Sequence, residues 1–259
     1  MGNIIEKNGQ EFEVVWQKPK GLKDKAMHYC PGCAHSTLEK VIMEVIDEME
    51  LTEKTIGVCP VGCSVFAYDY MDVDMQQAAH GRACAVATGI ARVMPEKLVF
   101  TIQGDGDLAA IGTAETIHAF NRGENIVVFF VNNAIYGMTG GQMAPTTLEG
   151  QITSSSPHVR DPKIAVYPIK IAELVALLPG TYFVTRVAMN NPQNTRAAKK
   201  SIEKAFKYAL EKKGTCLVEL VSNCPSGWKL TPVQSYEWWE KNMIPMYPLG
   251  VIKDNGGQQ

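Results

Sequence analysis

The stretch "GDGDLAAIGTAETIHAFNRGENIVVFFVNN", Gly104 to Asn133, carries an acidic, glycine-flanked turn after one strand-like run, "LVFTIQ", and a pair of asparagines after the next, "IVVFFV". Asp and Asn side chains offer the hard oxygen ligands that suit Mg²⁺, and glycines beside an Asp let backbone N–H groups approach a phosphate closely. Alone, GDG is an ordinary tight turn, and NN says even less. Together they say more, because the 25 residues from 107 to 131 hold one helix and one strand. Two successive strands would then end in oxygen-rich loops on the same side of a sheet.

Outward from this stretch, strands and helices alternate. "TIGV" (55–58) and "LVFTI" (98–102) read as strands, with a small-residue helix across "GRACAVATGIARV" between them. In "STLEKVIMEVIDEM" the apolar Leu38, Val41, Ile42, Val45, Ile46 and Met49 fall on one helical face. Ser36, with Glu39 three residues later, has the capping-box pattern and predicts a helix start at Ser36. "YFVTRV" reads as a strand. "TRAAKKSIEKAFKYALEKKG" reads as an amphipathic helix with Ala198, Ile202, Ala205, Phe206 and Ala209 inward and Gly214 as its stop, and "CLVELV" as a buried strand closing the sheet. Residues 137–165, rich in Gly, Thr, Ser and Pro and without clear periodicity, read as a long functional loop. The expected class is α/β, a mostly parallel sheet with helices on both faces. One domain over 27–225 is expected, with an extension at 1–26 and a tail at 226–259.

Composition narrows the function classes. With 46% hydrophobic residues the chain can bury a full core, and a net charge of −2 gives no basic field for nucleic acid. No apolar run reaches the roughly 18 residues of a membrane helix, and "MGNIIEKNGQ" lacks the apolar core of a secretory signal. The expectation is a cytoplasmic chain with neither nucleic acid nor membrane as partner. Seven cysteines in that setting point to metal or redox chemistry rather than a disulfide framework.

Their placement is informative. Cys59 and Cys63 follow "TIGV", the GDG turn follows "LVFTI", Asn132 and Asn133 follow "IVVFFV", and Cys224 follows "CLVELV". Ligands of open parallel sheets bind outside the carboxyl ends of the strands, so these residues are expected at one edge. "HYCPGCAH" puts Cys30 and Cys33 at CxxC spacing just before a helix N-terminus, where thiolates are favoured. Such a pair serves zinc or redox chemistry, or neither. A Cys₄ zinc site from Cys30, Cys33, Cys59 and Cys63 fits within 34 residues.

The ordered set "CPGC", "PVGCS", "AAHGRA", GDG, "NNAIYGMTGGQ" and "NCPSGW", over residues 27 to 229, resembles the β subunit of 2-oxoacid:ferredoxin oxidoreductases, which are thiamine diphosphate enzymes marked by GDG, a spacer of this size, then NN. The resemblance implies the thiamine diphosphate-binding fold, with Mg²⁺ held by Asp105, the Asn133 side chain and the Ile135 carbonyl. It also implies a 4Fe-4S cluster on Cys30, Cys33, Cys63 and Cys224, four thiolates being the expected number. Cys84 and Cys216 are left as core thiols, and Cys59 as an unassigned neighbour. Cofactor contacts are implied at Gly62, Cys63, Ser64, His80, Gly81, Arg82, Gly104, Asp105, Gly106 and Asp107, and along the loop at Asn133, Ile135, Tyr136, Gly137, Met138 and Thr139. His80, Met138 and Thr139 would border the reacting groups.

The implied reaction is oxidative decarboxylation of a 2-oxoacid with coenzyme A, giving acyl-CoA and CO₂ while the cluster passes electrons to ferredoxin. Such sites need a Glu from a second cofactor-binding domain, and only one is found here. Partner subunits of the alpha, gamma and delta type are therefore implied, with Trp228, Tyr236, Trp238 and Trp239 of the tail as interface candidates against packing on the chain's own core. No Lys or Arg occurs between Asn132 and Ser156, so this wall suits an aliphatic substrate such as 2-oxoisovalerate better than 2-oxoglutarate, with pyruvate as a further alternative. Rival classes are a cluster-free thiamine diphosphate carboligase or decarboxylase, and a zinc or iron-sulfur scaffold protein.

Overall fold

The computed structural model describes residues 4–257. In chain order they form an exposed hairpin, β1 (Ile4–Lys7) and β2 (Gln10–Glu13), then α1 (His35–Glu48), β3 (Thr55–Cys59), β4 (Asp74–Gln77), α2 (Ala83–Val93), β5 (Leu98–Gly104), α3 (Thr113–Arg122) and β6 (Val127–Asn132). The second half contributes α4 (Pro162–Ala165), α5 (Ile171–Ala176), β7 (Thr181–Val187), α6 (Pro192–Leu210), β8 (Thr215–Val221), α7 (Pro225–Trp228), α8 (Pro232–Trp238) and β9 (Gly250–Asp254).

The main sheet has the order β4-β3-β5-β6-β8-β7-β9 and is parallel except at the β7–β9 pair. Central strands read as unbroken apolar runs because both faces are covered. Phe100, Phe129 and Phe206 meet on the face closed by α1 and α6, with ring centroids 5.8 to 6.4 Å apart. Val99, Val128 and Phe130 point the other way, under α2, α3 and α5, where Ala83, Cys84 and Ala87 let α2 approach closely. No described helix is long and apolar enough to cross a membrane.

Several expectations are corrected. α1 starts at His35 with Ala34 at its cap and no side-chain cap bond; Ser36 Oγ donates to the Cys33 carbonyl, and Glu39 is drawn into the interior by Tyr29. The capping box is therefore not formed. α6 begins at Pro192, capped by Asn191, and ends at Leu210; Lys212, at φ +55°, takes the left-handed turn before Gly214 is reached. β8 lies inside the sheet, whose edges are β4 and β9. The segment after GDG opens as a π turn, Asp107–Ile111, ahead of α3. Beyond residue 225, Trp239, Met243 and Tyr247 are fully buried in the core, and β9 pairs with β7.

Candidate active site

β5 and β6 are register neighbours, with Gly104 opposite Val131, so the turn after one strand and the asparagines after the other come side by side. Asp105 is buried; its Oδ2 accepts from Thr146 Oγ1 at 2.9 Å and from the Ile135 N–H at 3.1 Å, and its Oδ1 from the Gly106 N–H at 3.1 Å. The Asn133 side-chain oxygen lies 3.2 Å from Asp105 Oδ2 and 2.7 Å from the Ile135 carbonyl oxygen. Rotated about its amide, Asn133 would donate to both; as oriented, the Asn133 and Asp105 oxygens share the Ile135 N–H and crowd against the Ile135 carbonyl oxygen, a set of acceptors that a divalent cation would satisfy. Burial pushes Asp105 up to about 7 against the pull of bonds from Thr146, Ile135 and Gly106. A cation at these oxygens would reverse that shift.

The "AAHGRA" segment meets the same edge from β4. Gly81 has φ +77°, and a Cβ there would stand 2.8 Å from backbone atoms of Ile111 and Gly112, so only glycine lets this turn rest on the π turn. Asp107, 1% exposed, accepts from the Gly81 N–H at 2.6 Å and from Gln103 Nε2 at 2.6 Å, and its Oδ1 lies 2.9 Å from His80 Nδ1. That contact fixes the imidazole through Nδ1 and leaves Nε2 for a cavity ligand.

His80, Asp105, Asp107, Asn133 and Ile135 line one cavity of about 260 Å³. Of the residues singled out in the sequence, Gly62, Cys63, His80, Gly104, Asp105, Gly106, Asp107, Asn133, Ile135, Tyr136, Gly137, Met138 and Thr139 line it. Ser64, Gly81 and Arg82 do not: Ser64 Oγ donates to the Ile102 carbonyl, and Arg82 pairs with Glu115 at 2.8 Å. His35, Val61, Ala110 and Ile111 join the lining without having stood out in the sequence, and Thr146 reaches Asp105 from a loop with no motif. A larger groove of about 610 Å³ lies between residues 17–21 and the end of α1, lined mainly by carboxylates and lysines with no convergence of catalytic types.

The four cysteines from "CPGC", "PVGCS" and "NCPSGW" lie near one another, with Cys63 lining the cavity. A Cβ at Gly137 would stand 2.9 Å from Cys224 Sγ and 3.7 Å from Cys63 Sγ, so both thiols rest on the loop that continues from the oxygen cradle. Cys33 Sγ lies 3.2 Å from His35 Nδ1, and Ser226 Oγ lies 3.1 Å from the exposed Cys30 Sγ. Burial pushes Cys33 and Cys224 up to about 12 and Cys63 up to about 11. Neighbouring thiolates of the same set add to each shift: Cys63 and Cys30 on Cys33, Cys30 on Cys63, Cys63 and Cys33 on Cys224. Thiols packed closely enough to repel as thiolates are the donor set that iron would neutralise.

Cys59 does not join them. It is fully buried on β3, its Sγ 3.9 Å from the Gln76 carbonyl. Among the described residues no three of His, Cys, Asp or Glu already stand in a metal-holding arrangement, and Cys59 lies on β3 against the Gln76 carbonyl rather than beside the other four. Cys84 and Cys216 are core thiols, both fully buried.

Comparison with known proteins follows the same outline. Residues 60–220 match the family described as thiamine pyrophosphate enzyme, C-terminal TPP binding domain. Ketoisovalerate oxidoreductase subunit VorA of Methanothermobacter marburgensis is 43% identical over 244 residues, 94% of this chain and 51% of that protein. The chain thus spans about half the length of that relative. 2-Oxoglutarate synthase subunit KorB of Archaeoglobus fulgidus is 35% identical over 214 residues, 83% of this chain and 76% of that one. The solved 2-oxoglutarate:ferredoxin oxidoreductase from Magnetococcus marinus, with 2-oxoglutarate, coenzyme A and succinyl-CoA bound, aligns at a TM-score of 0.75 over 95% of this chain and 88% of that one. At 21% identity that likeness concerns the fold.

Proposed function

The chain belongs to the thiamine pyrophosphate enzymes, as a 2-oxoacid:ferredoxin oxidoreductase subunit, and on that premise we propose that it is the β-type subunit for oxidative decarboxylation of a branched-chain 2-oxoacid, 2-oxoisovalerate, with coenzyme A. The products would be acyl-CoA and CO₂, and electrons would leave through a 4Fe-4S cluster to ferredoxin. The observation that carries this reading is the adjacency of two donor sets along one loop: Asp105, Asn133 and Ile135 line the same cavity as Gly137, and the Cys63 and Cys224 thiols rest against Gly137.

Thiamine diphosphate, when bound, supplies a carbon nucleophile and an electron sink for loss of CO₂. Asp105, the Asn133 side chain and the Ile135 carbonyl would hold the Mg²⁺ that anchors its diphosphate. His80, its ring oriented by Asp107, presents Nε2 to the reacting groups, while Met138 and Thr139 border the substrate. Cys30, Cys33, Cys63 and Cys224 would carry the cluster, with Cys63 also lining the cofactor cavity. Partner subunits of the alpha, gamma and delta type would supply the activating Glu and close the open side. A reducing cytoplasm suits this chemistry.

The substrate assignment rests on missing positive charge in the loop wall. Arg160, the first cation after Asn133, is buried, and its guanidinium donates to the carbonyls of Ala144, Pro145, Thr147, Ala165, Val166 and Tyr167. It staples the loop and has nothing left for a distal carboxylate. An unpaired carboxylate in a closed site is costly, so discrimination should be large. Steady-state assays of the complete complex with 2-oxoisovalerate, pyruvate and 2-oxoglutarate test this: the highest kcat/KM is expected for 2-oxoisovalerate, and a preference for 2-oxoglutarate would contradict it.

A further inference from the structure

Beneath the oxygen cradle the sheet buries a carboxylate and a guanidinium. Glu219 on β8 and Arg186 on β7 are register partners, 1% and 2% exposed, and Arg186 Nε donates to Glu219 Oε2 at 2.7 Å. A buried ion pair is weak evidence for stability, because desolvation offsets most of the attraction. What the pair touches is more informative. Glu219 Oε1 accepts from Asn132 Nδ2 at 2.8 Å. An asparagine amide has one donor end and one acceptor end, so tying Nδ2 to the carboxylate turns Oδ1 toward the loop, where it lies 3.3 Å from the Ala134 nitrogen and accepts its N–H. Ala134 is at φ +56°, a left-handed conformation that costs any residue with a Cβ, and Thr147 Oγ1 holds its carbonyl at 2.7 Å. It stands between Asn133 and Ile135.

We propose that Glu219, held by Arg186, is a positioning residue for the cradle: through Asn132 it keeps Ala134 left-handed, and that turn aims the Asn133 side-chain oxygen and the Ile135 carbonyl at Asp105. The proposal rests on the reading of those oxygens as a divalent-cation site. Glu219→Gln is the discriminating variant because it preserves shape. Arg186 Nε needs an acceptor, so the new amide turns its oxygen to Arg186 and its NH₂ to Asn132, which must then flip and set a donor against the Ala134 N–H. Arg186 keeps Glu173, at 2.7 and 3.0 Å, and stays paired.

The test is Mn²⁺ titration, followed by electron paramagnetic resonance, of the complete complex with added thiamine diphosphate, alongside its iron content. Loss of partners behind metal ligands weakens binding roughly 10- to 100-fold, so Glu219→Gln should raise the Mn²⁺ Kd about tenfold or more while iron is retained. Ala134→Gly in that background should return the Kd to within about threefold of wild type, since glycine adopts positive φ without the tether. Unchanged Mn²⁺ affinity in Glu219→Gln would overturn the proposal, and so would weakened binding that Ala134→Gly leaves unrepaired. If the wild-type complex binds no Mn²⁺, the cation reading itself fails and the proposal falls with it.

Discussion

The oxygen cradle and the cysteine set share a wall at Gly137 yet are built in opposite ways. The cradle comes from two neighbouring strand ends, and its groups have second partners: Thr146 and Ile135 on Asp105, Thr147 on the Ala134 carbonyl, Trp228 Nε1 on the Asn133 carbonyl at 3.1 Å. The cysteines come from three loops distant in sequence. Cys30 and Cys33 precede a helix with no side-chain cap, and Cys224 sits at the start of a four-residue helix. Sheet register therefore sets the cradle, whereas the thiols depend on loops meeting correctly. On the proposed reading, one site should be preformed and the other completed only when a cluster binds.

Asp105→Ala is expected to break the comparison most sharply. Removing the only carboxylate of the cradle should abolish thiamine diphosphate binding, measured by calorimetry on the complete complex, while iron content is unchanged. Cofactor affinity equal to wild type would show that the oxygens do not hold the diphosphate. Next in size, Cys224→Ala should lose iron and acceptor reduction but retain thiamine diphosphate, because the cradle does not lean on the cluster. Full iron content in that variant would move the fourth ligand elsewhere.

Gly137→Ala tests the shared wall. Its Cβ would overlap Cys224 Sγ, and overpacking of this kind typically costs about 1–3 kcal/mol. Iron content and cofactor affinity should fall together, each severalfold; a loss confined to one would show that the two sites are independent. Cys59→Ala carries the smallest effect. A stability loss on the order of 1 kcal/mol in thermal melts is expected, with iron and electron transfer intact, because this thiol packs in the core away from the other four.

The same contrast explains what the sequence made legible. Cradle residues announce themselves because strand, turn and strand lie within one βαβ unit, and the apolar runs feeding them are buried on both faces. β4, "DMQQ", is a mostly exposed polar edge strand with no hydrophobic signature, and β9, "GVIKD", pairs antiparallel with β7 from more than 60 residues away in sequence. α5 has only six residues, too short for a clear period. The Ser36 and Glu39 pattern misled because Glu39 is claimed by Tyr29 in the interior, with Oε2 left buried and without a partner. Arg82 and Ser64 sit in the right motifs, but local partners, Glu115 and the Ile102 carbonyl, turn them from the cavity. Glu219 and Arg186 lie inside strand runs, where only the register of β7 and β8 reveals them.

Compositional analysis of the anaerobically purified complex asks most directly whether both donor sets are filled in one chain. About one thiamine diphosphate and one divalent cation, with about four iron and four sulfide, are expected per copy of this subunit. Thiamine diphosphate without iron, or iron or zinc without thiamine diphosphate, would contradict it.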